Sequence, residues 1–247
     1  MNFIHWNDYL KFQKSVVNHS RFFLEDEARL FLKRLVAASN DRKKIIAKGV
    51  AFYRAQHGYY EVTNSSTTQD INKPKQPHDL ERMKPSAAHG KGGRANPPGV
   101  SYLYLSTNKE TAMSEIRPWV GAELSCAKFV SKRDLVVADF ITNSEGASYL
   151  PKENTPNEIE KTVFYHVNNA FSEPVNPEKP EISYVPTQII AEYFKVNKYD
   201  GIAYSSSLGP GYNLVIFDVD SCNAVNCQIF KTDKVKWDFA HSTQINY

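Results

Sequence analysis

Cysteine is scarce in this 247-residue chain: Cys126, Cys222 and Cys227 form an odd set with no Cys-x-x-Cys spacing and no paired histidines beside them. A disulfide framework and a zinc site therefore lack support, and the thiols read as small structural side chains. Long apolar runs are missing too. No window approaches the roughly eighteen apolar residues of a membrane span, and the opening Met-Asn-Phe-Ile-His-Trp shows no basic segment ahead of an apolar one. Neither export nor membrane insertion is expected, which points to the cytoplasm. The formal charge of +3 is too mild for a concentrated nucleic-acid-binding face. The seven histidines are scattered, without His-x-x-x-His spacing, so no metal site is expected. No Gly-x-Ser-x-Gly elbow surrounds any serine, which removes the signal for serine hydrolase chemistry.

What is present suits a folded enzyme or binding domain. Apolar residues make up 41% and aromatics 13%, enough to bury a core. Residues 7–48 read as helices, with Ala28, Phe31, Leu32, Leu35 and Val36 at three- and four-residue steps and a further short helix over 40–49 closed by Gly49. The segment "VAFYRA" at 50–55 reads as a buried strand. From 58 to 99 the pattern dissolves into a long polar loop. Strands are then expected at 101–106, 126–130, 134–140, 201–206, 212–219 and 227–238, with helices near 108–117, 157–171 and 186–196. Their partial segregation predicts an α+β fold, divided into a helical extension (1–48) and a main domain (49–247).

Within "HGKGGRAN" the glycines mimic a dinucleotide fingerprint, but Pro97 and Pro98 stand where its helix should run and no strand precedes it. The surrounding stretch 73–94 carries Lys73, Lys75, Arg82, Lys84, Lys91 and Arg94 against only Asp79 and Glu81. A solvated loop and an anion-binding flap both fit that excess. In "YLYLSTNKETAMSEIRP" (102–118) a strand passes directly into a helix, through the capping box Thr107-Asn-Lys-Glu110. Glu115 lies near the helix C-terminus, where the macrodipole opposes a negative charge, and it reads either as a surface carboxylate or as a charge kept for chemistry. Arg54, set in "FYRAQ", is a permanent cation in strand sequence and calls for an anion, supplied by a protein carboxylate or by a ligand. The segment "YDGIAYSSSLGPGYNLVIFD" (199–218) is a hairpin with Ser205, Ser206 and Ser207 at the end of its first strand.

Arg54, Glu115 and the serine cluster occur in that order, within "GRANPPGVSYLYLSTNKETAMSEIRP" and "PTQIIAEYFKVNKYDGIAYSSSLGPGYNLVIFD". Together they resemble the RES domain family, named for its Arg, Glu and Ser, over residues 49–220. The resemblance implies an ADP-ribosyltransferase-like split β-sheet core, NAD+ as substrate rather than prosthetic group, and cleavage of the nicotinamide–ribose bond. Family members act as toxins paired with an antitoxin protein, with inorganic phosphate as co-substrate in some and a protein as ADP-ribose acceptor in others. Carried onto this chain, Glu115 serves the sugar cation, Arg54 and Arg94 grip phosphates, and Tyr104 stands against the nicotinamide. Ser206, reached from Tyr204 by the family's Tyr-x-Ser spacing, orients the substrate, with Asn213 supporting across the turn. Two rivals belong to other classes: a nucleic-acid-binding module using the basic 73–94 loop, and a structural protein in which Arg54 and Glu115 pair with each other. A homo-oligomer is compatible with all three.

Overall fold

The computed structural model describes residues 2–61, 74–86, 92–142, 148–173 and 180–236. Eight strands form one mixed sheet: β1 (Lys43–Ile46), β2 (Ala51–His57), β5 (Leu103–Ser106), β6 (Glu123–Ser131), β7 (Leu135–Asp139), β8 (Gly201–Ser205), β9 (Tyr212–Ile216) and β10 (Cys222–Lys231). Their spatial order is β1-β7-β8-β9-β5-β2-β6-β10. Within it β7 and β8 are parallel and the other pairs antiparallel. The crossover that parallel strands require runs through α5 (Pro156–Ser172), α6 (Pro180–Ser183) and α7 (Val185–Val196). A small hairpin, β3 (Tyr60–Glu61) with β4 (Lys75–Gln76), and a one-turn helix α3 (Leu80–Met83) precede β5.

Side-chain alternation along the strands divides the core between the two sheet faces. Tyr102, just before β5, and Tyr104 on it turn toward a cluster that includes Val163, Phe164 and Phe171 of α5 and Phe194 of α7, while Leu103 and Leu105 join Phe52, Phe129, Leu214 and Ile216 on the other face. The first cluster also takes in Tyr9, Phe12 and Val16 of α1 (Asp8–Asn18) and Phe31, Leu32 and Leu35 of α2 (Asp26–Ser39). The N-terminal helices are part of the same core as the crossover helices.

Residues 43–46, expected as helix, are the edge strand β1, with Ile46 opposite Leu135. Two adjacent β-branched isoleucines favour a strand, and the lysines before them leave a charged edge. Lys44 lies over the Tyr212 ring at 4.1 Å. Gly49, at φ +88°, turns the chain from β1 into β2 rather than closing a helix. Part of the 58–99 stretch is ordered as well, because fully buried Met83 ties α3 to the second cluster. The last expected strand begins earlier, at Cys222, and ends at Lys231; residues 237–238 of that expectation lie outside the described residues. Lys73 and Lys91 of the basic stretch do also.

Phe12 is 2% exposed and stacks on Phe31 with ring centroids 4.7 Å apart. Phe12→Ala should cost about 3–5 kcal/mol, and urea unfolding should remain a single transition with a lower midpoint. A separate early transition confined to the N-terminal helices would contradict a shared core.

Candidate functional site

Antiparallel pairing of β2 with β5 amounts to one register pair, Tyr53 opposite Ser106. Continued pairing would set Arg54 against Leu105 and Ala55 against Tyr104, but the ladder ends first. Arg54 reaches across the opening instead, and its Nη1 donates to the Tyr104 carbonyl oxygen at 3.2 Å. Its Nε is buried with no hydrogen-bond partner among the described residues. Burial pushes the guanidinium below its ordinary pKa; arginine nevertheless keeps its charge, so the cost persists until an anion arrives. None of the ion pairs among the described residues joins Arg54 to Glu115 or to another carboxylate. The mutual pairing that a structural role would leave behind is absent from these residues.

Glu115 is the last residue of α4 (Lys109–Glu115), which follows β5 after two residues. The helix cap differs from the expected box: Asn108 caps it, its Oδ1 accepting from the Thr111 amide at 2.8 Å. Thr107 is drawn away to β9, where its hydroxyl accepts from the Tyr212 amide at 3.1 Å. At the other end, Arg117 takes a left-handed φ of 50° ahead of Pro118, which ends the helix. Glu115 is thus fixed at the corner where the helix meets the serine hairpin.

That hairpin holds the carboxylate. Asn213 Nδ2 donates to Glu115 Oε1 at 2.5 Å, and Ser206 Oγ donates to the same oxygen at 2.7 Å. Ser106 Oγ donates to Asn213 Oδ1 at 2.7 Å, which turns the amide nitrogen toward Glu115. The Ser206 oxygen in turn accepts from the Leu208 and Gly209 amides at 3.2 and 3.1 Å. Of the neighbouring serines, the Ser207 hydroxyl donates to the Ser172 carbonyl, and the Ser205 backbone amide donates to Asn168 Oδ1. Of the three serines, Ser206 is therefore the one joined to Glu115, with its proton spent there.

Arg54, Glu115, Tyr104, Arg94, Tyr204 and Asn213 line one cavity of about 310 Å³. Burial raises the Tyr104 and Tyr204 pKa values well above the usual phenol range, so both rings stay neutral. The loop over this cavity is "GGRAN". Tyr104 Oη accepts from the Ala95 amide at 2.9 Å and donates to Asn96 Oδ1 at 2.6 Å, and Gln188 Nε2 donates to the Gly93 carbonyl at 2.9 Å. Arg94 Nη1 donates to the Glu173 carbonyl oxygen, and its guanidinium lies 5.9 Å from the Tyr184 ring centre. The glycine motif that fails as a dinucleotide fingerprint is thus a wall of the cavity. Ser106, Asn96, Gln188 and Tyr184 were not visible as site residues in the sequence. The one available signal was the Asn that closes the glycine loop.

A Cβ on Gly93 would sit 2.8 Å from Tyr104 Oη and 2.9 Å from Asn96 Oδ1. Gly93→Ala should therefore cost about 1–3 kcal/mol of stability through this clash. Thermal unfolding would show it, and an unchanged melting temperature would contradict the tight seating of the loop.

Comparison with solved structures finds the crystal structure of the M. tuberculosis MbcT–MbcA toxin–antitoxin complex, at 15% identity and a TM-score of 0.42, covering 80% of this chain and 92% of that one. No curated protein matches. Residues 69–240 match the RES domain, a span of more than half the sequence that includes Glu115, Ser206 and Asn213. The chain belongs to the RES domain family.

Proposed function

We propose that this protein cleaves the nicotinamide–ribose bond of NAD+, transferring ADP-ribose to water or inorganic phosphate. The observation that carries this reading is the joint placement of Arg54, charged and without a carboxylate partner among the described residues, and Glu115, clamped by Asn213 and Ser206, on one cavity. The opening between β2 and β5 supports the split-sheet, ADP-ribosyltransferase-like fold that the family implies.

As the bond from C1′ to the pyridinium nitrogen breaks, its electron pair leaves with neutral nicotinamide and positive charge builds on the ribose. A carboxylate fixed beforehand answers that charge. Two unit charges about 4 Å apart attract by roughly 4 kcal/mol at an effective dielectric near 20. The acceptor oxygen then bonds to C1′; water releases a proton to solvent as it does so, whereas hydrogen phosphate attacks through an oxygen that carries none. Arg54 meets the substrate diphosphate, and Arg94 offers a second guanidinium at the rim. The Tyr104 ring supplies a flat face for nicotinamide. Ser206 acts here as a positioning residue, through Glu115, rather than as a nucleophile. A toxin of this kind needs an antitoxin protein that covers the cavity mouth.

Incubation with NAD+, with and without phosphate, followed by chromatography should yield nicotinamide together with ADP-ribose or its phosphate ester. Glu115→Gln should lose about 10²–10³ in turnover with little change in NAD+ affinity, as expected for one preorganised electrostatic group. Wild-type turnover in that variant would remove Glu115 from the mechanism. Arg54→Ala should weaken NAD+ binding by about tenfold or more, and calorimetry giving unchanged affinity would contradict its role at the diphosphate.

A further inference from the structure

Ser206 clamps Glu115 only if the chain on both sides of it is fixed, and both fixing points lie on α5. The β7–β8 ladder ends with Asp139 opposite Ala203, and the Ala203 carbonyl accepts from the Phe140 amide at 2.9 Å. Two residues further on, the Ser205 amide points to that same side by strand alternation, past the end of the ladder. Asn168 Oδ1 stands where a strand would continue and accepts it at 2.9 Å. One turn along the helix, the Ser172 carbonyl accepts from the Ser207 hydroxyl at 3.0 Å. Ser172 ends α5, where carbonyls lack intrahelical partners. The next carbonyl, that of Glu173, accepts from Arg94 Nη1. One helix end therefore holds both the serine hairpin and the "GGRAN" loop.

Asn168 stands among apolar neighbours. It is 4% exposed on a helix that also buries Phe164, Val167 and Phe171. Asparagine is a poor helix former, and its amide is costly to bury unless oxygen and nitrogen both find partners. Here Nδ2 donates to Thr142 Oγ1 at 3.3 Å, which turns Oδ1 toward Ser205. Ser205 immediately precedes the residue whose hydroxyl reaches Glu115 at 2.7 Å. We propose that Asn168 is a positioning residue for the reaction: by holding the Ser205 amide it sets the Ser206 hydroxyl on the Glu115 carboxylate. The rate effect rests on the NAD+-cleaving reading above; the placement of the hairpin does not. A displacement of about 1 Å costs on the order of 10²-fold in rate. Arg54 and Tyr104, assigned to substrate binding, stand on β2 and β5, so the loss falls on kcat.

The test compares Asn168→Leu, similar in size but without polar atoms, with Asn168→Asp, whose two oxygens can accept from the Ser205 amide and the Thr142 hydroxyl. In steady-state NAD+ cleavage, Asn168→Leu should lose about tenfold or more in kcat with KM within about threefold, and Asn168→Asp should recover to within about threefold of wild type. Amide hydrogen exchange, read by nuclear magnetic resonance without NAD+, should quicken at least about tenfold at Ser205, Leu208 and Gly209 in Asn168→Leu and stay near wild type in Asn168→Asp. If Asn168→Leu does not fold, Asn168→Ala is read against the same thresholds. Wild-type kcat in the apolar variant, a loss carried by KM, a loss that Asn168→Asp does not restore, or unchanged exchange overturns the proposal. If the wild-type chain leaves NAD+ intact, the function above fails and the exchange measurement alone decides. Quickening confined to the hairpin then upholds the positioning of Ser206 by Asn168, and no quickening overturns it.

Discussion

A carboxylate at the end of a helix works against the helix dipole, and Glu115 stays there because two donors from a distant hairpin converge on one of its oxygens. That convergence constrains much of the surrounding structure. It needs α4 to start at once after β5, so that its last turn reaches the β8–β9 turn. It also needs Ser106 to hold the Asn213 amide with nitrogen toward Glu115. Ser106 and Asn213 are cross-strand partners in the β5–β9 ladder, so sheet register and side-chain orientation are set together.

The parting of β2 from β5 has the opposite character, since it leaves something unsatisfied. A continuous ladder would fill the space that Arg54 enters. With the strands joined at one pair, the guanidinium borders the site cavity, keeps one carbonyl contact and, among the described residues, leaves Nε unpaired. Burying a charge this way costs stability unless an anion completes the site. The fold tolerates the cost because large aromatic clusters, including those of α1, α2, α5 and α7, stabilise it elsewhere.

The parts of the site that could be read in the sequence were those where one residue violates its local pattern. Arg54 is a cation in aromatic strand sequence, and Glu115 is an acid at the wrong end of a helix. What could not be read depended on choices among near-equivalent neighbours. Thr107 and Asn108 are both good caps, and the pull of Tyr212 on Thr107 decides between them. Three consecutive serines are alike until the hairpin turns one toward Glu115. The run Lys43-Lys44-Ile45-Ile46 is too short for periodicity to separate helix from strand, and pairing with β7 decides it. The basic stretch fits both a solvated loop and an anion-binding flap in the sequence, because one buried methionine, Met83, is a weak sequence signal for order.

The central claim is that Glu115 faces the nicotinamide ribose, and Arg54 the diphosphate, of one bound dinucleotide. A crystal structure of the Glu115→Gln variant soaked with NAD+ tests it most directly. The account predicts the nicotinamide ribose beside residue 115 and the diphosphate on the Arg54 guanidinium. A dinucleotide bound elsewhere, or lying in this cavity with its phosphates away from Arg54, would contradict it.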